Sequence, residues 1–194
     1  MNNASMPNHG PRVWPRLSSE LGADLTICRA RFDVLTNPRT GASMQRTVLE
    51  APQWVNVVAL TVERKLVVVR QFRFGTSSVT TEIPGGVVDP GEQHEHAAAR
   101  ELREEAGYTS TKWRYLGAVE PNPAFLDNLC HHWLALDAER THEQELDGGE
   151  DIAIDTLTLD EVREQIRSGA IRHALVLTAL SKVLDLRAHD ASAL

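Results

Sequence analysis

The 194-residue sequence predicts an α/β fold, a mixed sheet with helices on both faces, carrying an N-terminal β-hairpin extension. Three observations predict it. Residues 54–62 (WVNVVALTV) and 65–72 (KLVVVRQF) are nearly continuous apolar, valine-rich runs, the pattern of central strands covered on both sides. Residues 93–106 have helical periodicity and stop at Gly107, a residue suited to a left-handed C-cap. Further strand-like runs follow that helix, so strands and helices interleave rather than segregate.

Each element follows in chain order. Residues 1–15 are polar and contain Pro7, Pro11 and Pro15; with no apolar h-region they are expected to be a flexible tail rather than a signal peptide. Residues 25–35 (LTICRARFDVL) alternate apolar and polar, Asn37-Pro38-Arg39-Thr40-Gly41 reads as a turn, and residues 43–50 read as the returning strand. This hairpin lies in an extension assigned to residues 16–52, ahead of a main domain at 53–187 and a short tail at 188–194. In the main domain, residues 80–83 form a short strand before Pro84-Gly85-Gly86. Residues 112–120, 131–136 and 152–157 read as strands, and 139–150 as an acidic loop. Residues 158–168 form a helix with Thr158 and Glu161 as its capping box, and residues 173–186 a final amphipathic helix.

Composition narrows the function. Hydrophobic residues make up 42% and charged residues 24%, which is globular. The net charge of −7 argues against a nonspecific nucleic-acid binder, so an anionic substrate needs a metal cation or local arginines. Cys28 and Cys130 make neither a disulfide framework nor a CxxC pair and are expected to be buried thiols. No run of about 18 apolar residues marks a membrane span; a cytoplasmic protein is expected. His94 and His96 alternate, and the side chains of adjacent His131 and His132 diverge in a strand; without i,i+4 metal spacing they are read as surface or packing residues.

The stretch ARELREEAGY (residues 99–108) is the most informative. At about 100° per residue, Glu101, Glu104 and Glu105 share one helix face, while Ala98, Leu102 and Ala106 share another that can pack on the sheet. Like charges so spaced cost a helix roughly 0.2–0.5 kcal/mol per pair. Three carboxylates with too few basic partners form a hard-oxygen cage, and Mg²⁺ suits one because it binds few carboxylates, keeps waters and bridges to phosphates. The alternative is a solvated helix in which Arg100 and Arg103 pair locally with the glutamates.

The wider spacing, G-x5-E-x7-R-E-L-x-E-E-x-G-Y from Gly86 to Tyr108, resembles the Nudix box at Gly86, Glu92, Arg100, Glu101, Glu104, Glu105 and Gly107, with Leu102 in the first aliphatic slot. Tyr108 departs from the usual aliphatic residue at a packing position. The resemblance implies an α/β/α sandwich that cleaves nucleoside diphosphates linked to another moiety, using Mg²⁺ or Mn²⁺. It implies Glu101 and Glu105 as metal ligands, Glu104 as a further ligand or orienter, and the Gly85 carbonyl as another ligand. Arg100 and Glu92 would hold loop and helix in register.

Pro123, 16 residues after Gly107, and the loop PNPAFLDN (residues 121–128) resemble the ADP-ribose pyrophosphatase subgroup, as do the leading hairpin and the stretches RQFRFG and TTEIPGG. That resemblance implies a nucleoside-diphosphate sugar substrate, a homodimer with swapped N-terminal strands, Arg73 as a phosphate contact, Glu82 as a ribose- or metal-side carboxylate, and Asn128 as a phosphate or sugar contact. Trp54 stacks on a base or packs a dimer seam. The catalytic base is expected from the acidic loop: Glu150 matches a subgroup acid, but a position that often holds glutamate is Gly148 here, which leaves Glu145 and the box acids as alternatives. GDP- or UDP-sugars and dinucleotides stay open as substrates. A non-catalytic nucleotide sensor is the competing class, disfavoured because such domains lose box acids and all of them stand here.

Overall fold

The computed structural model describes residues 10–186. The expected C-terminal tail at 188–194, and residues 1–9 of the expected N-terminal one, lie outside the described residues. The described residues divide into two compact units, one containing residues 10–51 together with Asn122–Asp127, the other Pro52–Pro121 and residues 128–186.

The first unit is an antiparallel three-stranded sheet, β1 (Arg16–Asp24), β2 (Arg29–Thr36) and β3 (Ser43–Glu50), in that order. The expected hairpin is β2–β3, and β1 adds to its edge. β1 escaped the sequence reading because it is exposed along almost its whole length and lacks an alternating apolar face. The strand expected from residue 25 starts only at Arg29. Residues 25–28 turn instead, with Leu25 N–H donating to Cys28 O at 2.8 Å and Thr26 at φ 73°. Buried Asp33 accepts from Ser19, Arg16 and Arg31, and Arg31 also reaches Glu50 and Asp127. The Asn122–Asp127 segment joins this unit through Leu49 N–H to Phe125 O (2.7 Å) and Ala51 N–H to the Asp127 carboxylate (3.2 Å).

The second unit contains β4 (Trp54–Thr61), β5 (Leu66–Arg73), β6 (Ser78–Glu82), α1 (His94–Ala106), β7 (Tyr108–Thr109), β8 (Lys112–Val119), β9 (Cys130–Arg140), β10 (Ile152–Leu157), α2 (Leu159–Arg167) and α3 (Ala174–Ser181). Its seven-stranded sheet runs β10-β5-β4-β9-β7, with β6 also on β5 and β8 also on β9. β4 and β9 are parallel and the other pairs antiparallel, so the sheet is mixed. Alternate residues of β4 feed two cores, which is why that strand reads as continuously apolar. Val55, Val57 and Ala59 pack with Ala98, Leu102 and Ala106 of α1. Val58 and Leu60 pack with Val162 of α2 and Val176 and Leu180 of α3. Helices therefore cover both faces, an α/β/α arrangement.

The remaining departures are local. α3 ends at Ser181 rather than 186 because the chain tightens, with Lys182 N–H donating to Ala179 O at 3.2 Å and Val183 N–H to Leu180 O at 3.0 Å. β9 continues to Arg140, shortening the acidic loop, because the two-residue β7 pairs with its end. The capping box of α2 forms in both directions. His131 and His132 diverge: His131 stacks on His94 of α1 at 4.1 Å, while His132 is fully buried on the same side of the sheet as Cys130 and Leu134. Among the described residues no helix is long and apolar enough to cross a membrane.

Candidate active site

The site starts at the loop between β6 and α1. β4 holds it like a neighbouring strand: Val57 N–H donates to Pro84 O (2.8 Å), Val55 N–H to Gly86 O (2.9 Å), and Val88 N–H to Gln53 O (2.9 Å). This leaves the Gly85 carbonyl between two committed ones. A side chain at Gly85 would run into fixed backbone, and one at Gly86 would displace a carboxylate of the site. A Cβ on Gly85 would lie 2.2 Å from Val55 O, and one on Gly86 would lie 2.5 Å from Glu101 Oε1.

Glu101 and Glu105 lie one helical turn apart on α1 and point into this loop. They are 9% and 4% exposed. Gly85 N–H donates to Glu105 Oε2 at 2.9 Å. Burial pushes the Glu105 carboxyl up to about 8, reinforced by the charges of Glu101 and Glu150 and opposed by the Gly85 bond and Arg73. Burial likewise raises Glu101 to about 7, against the pull of Arg100 and with the repulsion of Glu104 and Glu150. Two carboxylates forced toward their neutral forms are groups that a divalent cation would return to the charged state.

Glu104 stands apart, and here the structure corrects the expectation of a three-carboxylate cage with too few basic partners. Arg100 donates to Glu104 at 3.1 Å and Arg103 at 2.9 Å, so the local pairs considered as the alternative do form. Among the described residues no three acidic, histidine or cysteine side chains converge as ready-made ligands. Arg100 also donates to both oxygens of Glu92 (3.0 and 2.9 Å), to Val87 O (3.0 Å) and to Glu101 (2.9 Å), tying the loop to the helix. Arg103 makes the local pair with Glu104 that the alternative reading named, and at 2.6 Å it also reaches Glu145, which the sequence did not indicate. At the helix end Gly107 adopts φ 70° and receives Thr141 N–H and His142 N–H on its carbonyl.

Glu82 does not face solvent. It is 2% exposed and accepts a bidentate pair of bonds from Arg73, both 2.7 Å, and a third from Thr80 Oγ1 at 2.6 Å. Burial alone would raise it; these donors hold it below the usual carboxylate range. Arg73 also acts by charge on Glu105, one of the two buried acids. His173, at the N-cap of α3, acts electrostatically on Glu82 as well; nothing in the sequence pattern marked it.

The other expected residues divide. Glu150 is exposed, closes a small turn with Asp147 (2.9 Å in both directions) and acts on Glu101 and Glu105 by charge. Glu145 is held by Arg103, which makes it the poorer base candidate. Trp54 is half-buried at the start of β4 and bridges to Val87. Asn128 is 2% exposed and donates one amide N–H to Pro52 O at 2.7 Å. Pro123 belongs to the other unit, in the Asn122–Asp127 segment.

The donor set of Glu101, Glu105 and the Gly85 carbonyl fits a hard divalent cation: all oxygen, mostly carboxylate, beside a loop whose two glycines leave room that a Cβ would fill. The NUDIX domain family model matches residues 52–180. The chain belongs to the NUDIX family of hydrolases. As a NUDIX hydrolase it acts on nucleoside diphosphates linked to another moiety. It is 33% identical over 141 residues to the ADP-ribose pyrophosphatase of Bacillus subtilis (strain 168), covering 72% of this chain and 76% of that one. It is 31% identical over 141 residues to the methanol dehydrogenase activator of Bacillus methanolicus, again covering 72% and 76%. Among solved structures it resembles that of an ADP compounds hydrolase, with a TM-score of 0.79, 21% identity, and coverage of 90% of this chain and 94% of the other, a likeness of fold.

Proposed function

We propose that this NUDIX hydrolase cleaves ADP-ribose or a related nucleoside-diphosphate sugar into a nucleoside monophosphate and a sugar phosphate, with Mg²⁺ or Mn²⁺. The observation that carries the reading is the buried Glu101–Glu105 pair facing the Gly85-Gly86 loop, with Arg73 acting on Glu105 by charge. The similarity to the Bacillus subtilis ADP-ribose pyrophosphatase supports the choice of substrate. When bound, the divalent metal supplies positive charge for the diphosphate oxygens and acidifies water for the attack. Glu101, Glu105 and the Gly85 carbonyl would hold it, and Arg100, donating to Glu92, Glu101 and Glu104, keeps the helix and loop at fixed spacing. Arg73, preset by Glu82, binds phosphate by charge and planar geometry. Glu150 accepts a proton from the attacking water as a new P–O bond forms, and the old P–O bond breaks toward the leaving phosphate.

Catalysis falls to residues 53–187 and dimerisation to the extension at 16–52. β1 is an exposed edge strand carrying exposed Leu17 and Leu21, a surface suited to a second copy that exchanges N-terminal strands. Light scattering at micromolar concentration should return a dimer; a monomer overturns that part. The cytoplasmic location expected from the sequence belongs to this proposal too.

The deciding experiment is a phosphatase-coupled phosphate-release screen in MgCl₂ over ADP-ribose, ADP-glucose, GDP-mannose, UDP-glucose, diadenosine polyphosphates and NADH. Preference for ADP-ribose supports the substrate reading. Preference for a dinucleotide replaces it. Turnover that survives both Glu101→Gln and Glu105→Gln removes the metal-site assignment.

A further inference from the structure

The acidic loop that carries Glu150 is held at its neck by one side chain. Gln144 Nε2 donates to Glu105 O at 2.7 Å and to Ile152 O at 3.0 Å. The first is a carbonyl of the last turn of α1, on the residue whose carboxylate lies in the site. The second begins β10, two residues beyond Glu150. The amide therefore joins the two ends of the segment 145–151 to each other and to the helix. The adjacent peptide adds to the clasp, since Glu145 N–H donates to Glu104 O at 2.9 Å and the Glu145 carboxylate pairs with Arg103 at 2.6 Å.

Beyond the neck little fixes the loop. A Cβ at Gly148 or Gly149 would meet nothing within 4 Å, so the tip touches no packed surface there, and two successive glycines add conformational freedom. The Asp147–Glu150 turn is internal to the tip and travels with it. The neck bonds are thus what sets how far Glu150 stands from Glu101 and Glu105. They also satisfy carbonyls at the helix C-terminus that have no intrahelical partner.

We infer that Gln144 is a positioning residue for the hydrolysis, holding the Glu150 loop in register with the carboxylates of α1. The inference rests on the reading of Glu150 as base, and its test separates the two. Gln144→Leu removes the donor; Gln144→Glu keeps the size but presents acceptors to two carbonyls, and serves if the leucine variant does not fold. Each is made alone and with Glu150→Gln, and kinetics are measured in MgCl₂ on ADP-ribose, or on whichever substrate the screen returns. Glu150→Gln should cost about 100-fold or more in kcat, the scale of a general base. Gln144→Leu alone should cost about 10- to 100-fold in kcat, with KM within about threefold, and add under about twofold in the Glu150→Gln background, the non-additivity of two residues acting through one step. In EDTA, with no turnover involved, the Glu145 amide should exchange with solvent about tenfold faster in Gln144→Leu as its bond to Glu104 O loosens. Equal loss in both backgrounds, or unchanged exchange, overturns the positioning role. Full activity in Glu150→Gln removes the base itself, and the inference with it.

Discussion

Two neighbouring glycines of the site carry different constraints. The obstacle to a side chain on Gly85 is Val55 O, a carbonyl fixed in β4, whereas on Gly86 it is the Glu101 carboxylate, the end of a flexible side chain. Gly85→Ala is therefore expected to destabilise the protein by about 1–3 kcal/mol, as overpacking against fixed atoms does. Gly86→Ala should unfold at nearly the wild-type urea concentration yet lose most of its turnover, because the group that moves is a metal-ligand candidate. Urea titrations and kcat on the same preparations check the pair, and a reversed order would show the loop to be softer than its bonds to β4 imply. Glu105 carries the opposite tension. Burial pushes it up, so its charged form is costly in the metal-free protein. Glu105→Gln should raise metal-free stability by about 1 kcal/mol, the trade of stability for function seen at active sites. Mg²⁺ at about 100 times its Kd should stabilise the wild type by about 2.7 kcal/mol, and Glu105→Gln should lose that gain. Thermal unfolding with and without MgCl₂ reads both.

At the level of elements, α1 shows what a sequence can and cannot disclose. Its span was legible from periodicity and Gly107, and its buried face from Ala98, Leu102 and Ala106, because these depend on residues a turn apart. The two strand interiors beside it were legible from their unbroken apolar runs, an equally local signal. Invisible were contacts fixed by tertiary placement. Arg103 could pair with several acids, and only the fold brings Glu145 to it. Glu82 had the same sequence environment whether exposed or buried; the pairing of β5 with β6 sets it opposite Val69, where Arg73, four residues along β5, reaches it. β1 lacked a pattern because it buries almost nothing. Gly107 illustrates the join of the two levels. Its left-handed φ of 70° suits any glycine C-cap, but a Cβ there would also lie 2.2 Å from His142 O in the chain that follows β9. Gly107→Ala is accordingly expected to cost about 2–4 kcal/mol, the left-handed penalty plus steric overlap. A loss under about 1 kcal/mol in urea unfolding would mean that the segment after β9 yields without resistance.

For the molecule as a whole, the polar group most at odds with its surroundings is His132. It is fully buried, and neither ring nitrogen has a hydrogen-bond partner within the described structure. Burial lowers it to about 4, with the charge of Lys182 from the end of α3 and that of His131 on its own strand acting in the same direction. Cys130, two residues earlier on β9, and Asn56, opposite on β4, are its other polar neighbours along the strands. The native state keeps His132 neutral down to about pH 4, while in the unfolded chain it gains a proton near pH 6.5. Below that point only the unfolded state is stabilised by protonation, so folding stability falls as pH drops from 6.5 toward 4 and is level again below 4. Between pH 7 and pH 5 the loss from this group should be about 2 kcal/mol. Glu101 and Glu105 work against it. Their raised values make stability fall as pH climbs above the ordinary carboxylate range, so a raw pH profile mixes both effects. The difference between wild type and His132→Leu cancels the carboxylates. The leucine variant should lose about 2 kcal/mol less than wild type on going from pH 7 to pH 5 in urea unfolding. Parallel profiles for the two proteins would mean that His132 finds a proton partner inside the fold, with Cys130 and Asn56 the first groups to test.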